Sequence, residues 1–504
     1  MSLSIVKTRA LFGVESPSVR VETHLSNGLP SFTVVGLPEA AVKESRERVR
    51  CALINSGFEF PMRRVTVNLA PADIPKEGGR FDLAIAVGIL AASGQLNGVD
   101  ISACEFIAEL ALTGECSPVT GVLPSLIESL ESSHRVFVAK DDLRYAHLLG
   151  AKSIYGIEDL RQLVEYLRDP ERATTCRYTA ETSDQDLDAQ IDDLSDVLGQ
   201  YSARKALEIA AAGGHNLLLF GPPGTGKSML ASRISGILPQ LNIKQARDVA
   251  ALYSLTNTPR DEGDWFTPPF RSPHHSCSAV SLVGGGAKPK PGEVSLAHQG
   301  VLFLDELPEF SRHSLEMLRE PLESNAISIA RAQHQITLPA NFQFIAAMNP
   351  CPCGYLGHPT IACTDTPQQI EQYRRKLSGP LLDRIDMYVE VPFQSARVSL
   401  GAKEKAESSA QVRARVEQAR EIQMRRQGCL NSELHGEDLS RICALSEVQQ
   451  DWLIVTIDKL ALSNRAAHRM MRLARTLADC SGQAVISQGH LSQALRFRSV
   501  LSKV

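Results

Sequence analysis

The stretch NLLLFGPPGTGKSMLA, residues 216–231, restricts the fold more than any other part of the chain. An apolar run of strand type stops at a glycine-rich turn, and a helix-forming run begins at Lys227. Strand, turn and helix in that order form the phosphate-binding loop of a parallel α/β sheet. Gly221, Gly224 and Gly226 let successive backbone N–H groups curl around an anion. Lys227 brings a point charge to the β- and γ-phosphates, and the Ser228 hydroxyl is a ligand for Mg²⁺. The candidate ATP-binding set is therefore Gly221, Pro222, Pro223, Gly224, Thr225, Gly226, Lys227 and Ser228.

VLFLDE, residues 301–306, reads as a buried strand ending in two carboxylates. Asp305 belongs in the Mg²⁺ shell, and Glu306 would orient or polarise an attacking water. FQFIAAMNP is a third strand-like run, ending at Asn349. An Asn before Pro is commonly a turn residue. Set beside the VLFLDE strand, Asn349 would instead face the γ-phosphate or the water. Arg384, in LSGPLLDRID, is flanked by Asp383 and Asp386. It reads either as a surface ion pair or as an arginine that reaches a neighbouring subunit's γ-phosphate. In SNRAAHRMMRLAR, Arg465, Arg469 and Arg472 recur at helical spacing. A solvated basic face is the plain reading, above all for Arg472.

With 504 residues the chain is too long for one hydrophobic core. Residues 1–168 alternate short β-like runs with helices. Residues 169–193 are polar and acidic and read as a linker, with helix formation resuming near Leu194. Residues 194–395 hold the α/β motifs, and residues 396–504 are almost wholly helical by pattern. A formal net charge of −4 excludes a globally basic nucleic-acid binder, so any such contact must be local. No apolar run approaches the length of a membrane span, and the first residues lack an export-signal pattern. The 11 cysteines are odd in number and scattered, which suits reduced thiols in a cytoplasmic protein.

Taken in order, GPPGTGKS, VLFLDE, MNP, LLDRID and SNRAA resemble an AAA+ ATPase of the magnesium-chelatase-like group. The longer phrases ALEIAAAGGHNLLLFGPPGTGKSMLA, PFRSPHHS, LVGGGAKPKPGEVSLAHQGVLFLDE and LSGPLLDRIDMYVEVP are similar to the YifB/ComM family over essentially the whole chain. The resemblance implies an α/β AAA+ P-loop core with a helix-2 insert and a C-terminal helical lid. Ahead of these it implies an α+β domain like that of Lon protease, of the ribosomal S5 domain 2 type. It assigns Lys227 and Ser228 to Walker A, Asp305 and Glu306 to Walker B, Asn349 to sensor 1, Arg384 to the arginine finger and Arg465 to sensor 2. It also implies a homo-hexameric ring with ATP between subunits. The family includes a competence-associated helicase that drives branch migration of incoming DNA. A chelatase-type or chaperone-like remodeller of a protein partner is the alternative, because AAA+ rings share this nucleotide site.

Between Ser228 and Asp305 lie LVGGGAKPKPGE, residues 282–293, with four glycines, two prolines and two lysines. That composition argues against a helix or an ordered strand. In the family this is the helix-2 insert, projecting toward the ring pore, where Lys288 and Lys290 would meet phosphates. AISIARAQHQITLPANF reads as a hairpin with Arg331 and His334 near its tip, at the place of the family's pre-sensor-1 hairpin. Neither loop carries an aromatic residue, so contact should be to phosphate, independent of sequence and sensitive to salt.

In the N-terminal region, RRVTVNLAPADIPKEGGRFDLAIAVGILAASG follows the Lon-like pattern, yet its turn, residues 76–82, holds no Ser, Thr or Cys. Without a nucleophile no acyl-enzyme forms, so an inactive fold is expected. Lys76 and Arg80 would touch DNA or a neighbouring subunit, or simply be solvated. Finally, NPCPCGYLGHPTIACTD gathers Cys351, Cys353, His358, Cys363 and Asp365. Three thiols with His358 or Asp365 as fourth ligand suit a structural Zn²⁺. Reduced thiols in a proline-stiffened loop are the other reading. Family members often show C-x-C twice here, and Asp365 stands at the last position.

Overall fold

The computed structural model describes residues 2–36, 40–169, 172, 192–256, 258–286, 290–330, 335–394, 406–460 and 463–499. Two compact units are present. One comprises residues 1–187 and 242–265, the other residues 188–241 and 266–504.

The first unit is built on β1 (Ser2–Arg9), β2 (Ser18–Ser26), β3 (Ser31–Val35), β4 (Arg64–Ala70), β5 (Cys104–Ile107), β6 (Arg135–Ala139) and β7 (Ile154–Ile157). They form one mixed sheet in the order β3-β4-β2-β1-β5-β6-β7. Val21, Thr23 and Leu25 of β2, all buried, alternate inward in register with Leu69, Val67 and Val65 of β4. The period of two that makes these runs strand-like also supplies the core face. Helix α1 (Ala40–Asn55) and helix α2 (Asp82–Ala92) pack on that face. In α2 ten of eleven residues are buried, which is why its sequence is apolar on every side after Asp82.

Residues 242–265 belong to this first unit, although the sequence reading kept them in the ATPase core. Helix α3 (Ile243–Ser254) opens with a reciprocal cap between Asn242 and Gln245. Arg247 then donates to the carbonyls of Leu148 and Leu149 at 3.2 and 2.9 Å. Trp265 stacks on Tyr145 with ring centroids 6.1 Å apart. No period in the sequence announces that this excursion packs away from its flanking motifs. Most of the acidic stretch 169–193 lies outside the described residues. At its end Asp193 caps a short 3-10 turn at Leu194–Asp196.

The second unit holds five parallel strands, β8 (Leu217–Phe220), β9 (Phe270–Arg271), β10 (Val301–Leu304), β11 (Gln343–Met348) and β12 (Met387–Glu390). Their order is β9-β10-β11-β8-β12. Strands β8, β10 and β11 are buried throughout, as continuous apolar runs in a covered parallel sheet must be. Helix α4 (Tyr201–Gly213) leads into β8. The helices α5 (Ser409–Gln427), α6 (Glu447–Lys459), α7 (Asn464–Cys480) and α8 (Gln488–Ser499) form the C-terminal part. This mixed α/β unit with a parallel sheet fits an AAA+ core.

Candidate nucleotide site and its surroundings

Because β8, β10 and β11 are parallel neighbours, their C-terminal ends open on one edge of the sheet. There the chain assembles a cleft of about 380 Å³ lined by Pro223, Gly224, Thr225, Gly226, Lys227, Ser228, Met229, Asp305, Glu306, Met348 and Asn349. The loop geometry explains its glycines. Gly224 and Gly226 take φ of +72° and +85°. A Cβ on Gly221 would stand 2.2 Å from the carbonyl oxygen of Val391. Gln200, which the sequence reading passed over, braces the loop by donating to the Thr225 and Pro392 carbonyls at 3.4 and 2.9 Å.

Within the cleft the Lys227 ammonium donates to the carbonyls of Gly221 and Pro222 at 2.8 and 2.7 Å and to Asn349 Oδ1 at 3.1 Å. Burial pushes its pKa down to about 8, opposed by the charges of Asp305 and Glu306. The Ser228 hydroxyl donates to Asp305 Oδ2 at 2.5 Å. A hydroxyl and a carboxylate oxygen converging at the mouth of a phosphate loop are the donor set that a hard Mg²⁺ takes. Glu306 is exposed at the end of β10 with a left-handed φ of +51°. Its carboxylate lies 3.3 Å from His275 Nδ1. His275 sits in the phrase SPHHS, where no local spacing marks it as a partner of Glu306. Strand β11 runs beside β10, so Asn349 does face the cleft.

The two arginines stand elsewhere. Arg384 does not line the cleft. Its guanidinium pairs with Glu323 and donates to the Pro380 carbonyl at 2.8 Å. An ion pair is thus formed, as the plain reading had it, but with Glu323 and not with the flanking Asp383 or Asp386. Asp386 is buried and binds Arg469 at 2.8 Å and the Asn216 N–H at 2.9 Å. Burial alone would raise its pKa; Arg469 and His215 hold the carboxyl well below the usual range. Arg465 is exposed in the first turn of α7, away from the cleft lining. Arg472 is mostly covered, and its Nε has no hydrogen-bond partner, which corrects its assignment to a solvated face.

Of the loop residues expected to meet phosphate, Lys288, Arg331 and His334 lie outside the described residues. Lys290 is exposed and pairs with Gly285 in a two-residue antiparallel ladder at the foot of the insert. The expectation that 282–293 contains no ordered strand is thus corrected at Gly284–Gly285 and Lys290–Pro291. A Cβ on Gly292 would meet Gly284 N at 2.2 Å, so glycine is what lets the ladder close. Ala326–Ala330 and Gln335–Pro339 form the expected hairpin. The two loops are neighbours: a Cβ on Gly284 would stand 3.3 Å from Ile329 Cδ1.

Lys76 and Arg80 are buried, at 0% and 4% exposure, so neither can reach DNA, a neighbour or solvent. Lys76 donates to the Pro71 carbonyl. Arg80 stands in the turn where a nucleophile would be, and its guanidinium reaches Gly121 O and Ser125 Oγ at 3.2 and 3.3 Å. Burial pushes its pKa down to about 10.

The ligating atoms of Cys351, Cys353, Cys363 and Asp365 all lie within 4.8 Å of one another, with sulfur separations of 3.4, 3.5 and 3.6 Å. Sulfurs bound tetrahedrally to one Zn²⁺ stand about 3.8 Å apart, so the cluster fits that ion. His358 is outside it, its Nδ1 accepting from the Ile361 N–H at 3.0 Å. The loop abuts the phosphate site, since a Cβ on Gly354 would stand 2.8 Å from Pro223 Cδ.

Three family profiles match successive parts of the chain. Residues 193–398 match the profile for magnesium chelatase, subunit ChlI. Residues 21–142 and 406–498 match the profiles for subunit ChlI of Mg-chelatase and its C-terminal region. The chain is 48% identical to the competence protein ComM of Haemophilus influenzae, covering 99% of this chain and 98% of that one. It is 47% identical to an uncharacterised protein, YifB, in Salmonella typhimurium and in Escherichia coli, again over 99% and 98% of the two chains.

Proposed function

We propose, from the fact that the chain belongs to the YifB/ComM family of magnesium-chelatase-like AAA+ proteins, that it is an ATP-driven motor on DNA. The activity we assign is that of a helicase or branch-migration translocase, working as a homo-hexamer in the recombination of incoming DNA during natural transformation. The observation that carries this reading is the placement of the insert. It forms part of the connection between β9 and β10, and β10 delivers Asp305 and Glu306 to the cleft. A glycine-rich, lysine-bearing loop is therefore built into the same connection as the hydrolytic carboxylates, beside the hairpin at 326–339. The competence role named for the Haemophilus relative supports DNA as the partner.

In this reading the Gly221–Gly226 amides cradle the phosphates. Lys227 exchanges its carbonyl partners for β- and γ-phosphate oxygens, and its full charge returns as it gains those anions. Ser228 and Asp305 would hold Mg²⁺, which neutralises charge on the transferring phosphoryl group. Glu306 takes the direction of the attacking water, and Asn349 marks the γ-phosphate end of the cleft. Arg384, held by Glu323 in the single chain, is the group we assign to the neighbouring subunit's γ-phosphate. Arg465 at the start of α7 is assigned to sense the nucleotide from the lid. The cluster of Cys351, Cys353, Cys363 and Asp365 is assigned a structural Zn²⁺ that staples the loop against Pro223.

The test is steady-state ATP hydrolysis with and without single-stranded, duplex and four-way-junction DNA. Stimulation by DNA, and junction resolution that needs ATP and is lost in Lys227→Ala, would support the motor. Hydrolysis unmoved by DNA, with junctions left intact, would favour a remodeller of a protein partner in the same ring.

A further inference from the structure

We infer that Arg469 and Arg498, on the last two helices, are positioning residues that aim Arg384 at the neighbouring subunit's nucleotide. This deepens the motor reading and rests on Arg384 acting between subunits.

Three consecutive residues of the turn before β12 are each held by a side chain from elsewhere. The Arg384 carbonyl accepts from Asn216 Nδ2 at 2.9 Å. The Ile385 carbonyl accepts from Arg498 Nη1 of α8 at 3.1 Å. The Asp386 carboxylate accepts from Arg469 Nη1 of α7 at 2.8 Å and from the Asn216 N–H at 2.9 Å. A peptide unit is planar, so holding the carbonyls of Arg384 and Ile385 fixes both peptide planes that flank Ile385. The direction in which the Arg384 side chain leaves the backbone is thereby set from behind.

The chemistry of the clamp is that of orientation rather than of packing. Asp386 and Arg469 are nearly buried. Arg498 is buried too, its guanidinium 5.7 Å from the Tyr388 ring centroid. Its Nε has no hydrogen-bond partner among the described residues. Taking such charges out of water costs free energy that apolar side chains of similar volume avoid. What a guanidinium adds in exchange is a rigid planar fork that holds its acceptors at fixed angles.

The clamp is also anchored at its base. Thr476 lies seven residues after Arg469, two turns on along the same face of α7. Its hydroxyl meets His215 Nε2 at 2.7 Å, next to Asn216. Asn216 leads into β8, and β8 ends at the phosphate loop. A subunit's own nucleotide site and the arginine that it offers to the next are thus referenced to the same strand. In front of the clamp the Arg384 side chain keeps spare capacity. Its partner Glu323 is mostly exposed, and its own Nε has no hydrogen-bond partner among the described residues. An ion pair to a solvated carboxylate is weak, so a phosphate can take its place.

The experiment measures ATP turnover by the full chain, alone and mixed at equal concentration with Lys227→Ala before ATP is added. Lys227→Ala subunits lack a working phosphate loop but still offer Arg384. Arg384→Ala is the reference. On mixing it should regain up to about a quarter of wild-type turnover, the share of interfaces in a random ring that pair an intact loop with an intact arginine. Arg469→Gln should lower kcat about ten- to hundredfold with KM for ATP close to wild type, as a misplaced transition-state group does. It should be rescued on mixing as Arg384→Ala is. Arg469→Lys keeps a charge on Asp386 and should recover part of kcat. Arg498→Gln should show a smaller fall with the same rescue, which keeps the test open should Arg469→Gln fail to fold. Wild-type kcat in the folded variants would overturn the inference. So would failure of mixing to rescue them where it rescues Arg384→Ala, because the defect then lies in the variant's own nucleotide site. Should Arg384→Ala itself not be rescued, the reading of Arg384 as acting between subunits falls, and the inference with it.

Discussion

At the residue scale the strongest expectations attach to charges the fold has taken out of water. Lys227→Ala removes the only ammonium in the described cleft lining, and turnover should fall by roughly a hundredfold or more. Fluorescent ATP-analogue binding would separate lost affinity from lost chemistry. Asp386 is a second such charge, held by Arg469 of α7. Asp386→Ala leaves Arg469 nearly buried without its partner and should cost about 3–5 kcal/mol of stability by urea unfolding. Because the folded Asp386 carboxyl lies below its unfolded value of about 3.9, its contribution is complete above that pH and is lost as pH falls further. The same residue shows how reading neighbours in sequence misleads. Arg384 is flanked by two aspartates yet pairs with Glu323, 61 positions away, because the turn before β12 aims Asp386 inward.

At the element scale, the loops and the turn before β10 decide most. His298 precedes β10, is buried, and accepts from the Asn341 N–H at 3.1 Å. Burial pushes its pKa down to about 4. A histidine so depressed stabilises the fold while neutral, and that stability is lost as pH falls from about 6.5 toward 4. The thermal midpoint should drop across that window, and His298→Gln should flatten the drop. The cysteine loop gives a second test at this scale. Purified protein should contain about one Zn²⁺ per chain by elemental analysis, chelation should lower the thermal midpoint, and Cys363→Ser should abolish both metal and shift. Asp365→Cys should keep the metal. The hairpin and the phosphate loop were legible because alternation and glycine spacing are local properties of the chain. That the feet of the insert form a ladder and lie against Ile329 was not, since both depend on which glycines meet backbone from elsewhere.

At the scale of the whole molecule, charge is the guide. With a net charge of −4, the DNA contact proposed above would have to come from a local basic surface such as the insert. Lys290→Glu should weaken DNA-stimulated turnover, flatten its salt dependence and leave basal turnover nearly unchanged. Among the described residues no helix is long and apolar enough to cross a membrane. By itself the sequence determined what depends on near neighbours: the strand–loop–helix at 216–231, the carboxylates after VLFL, the apolar run of α2 after Asp82 and the close-set cysteines. Tertiary structure alone decided what depends on distant segments meeting. It put residues 242–265 with the first unit, chose Asp365 over His358, buried Lys76 and Arg80, and set His275 against Glu306. The reason is physical: helix period, turn chemistry and glycine torsions act over a few residues, whereas ion pairs and burial are set by whichever segments the packed core brings within a few ångströms.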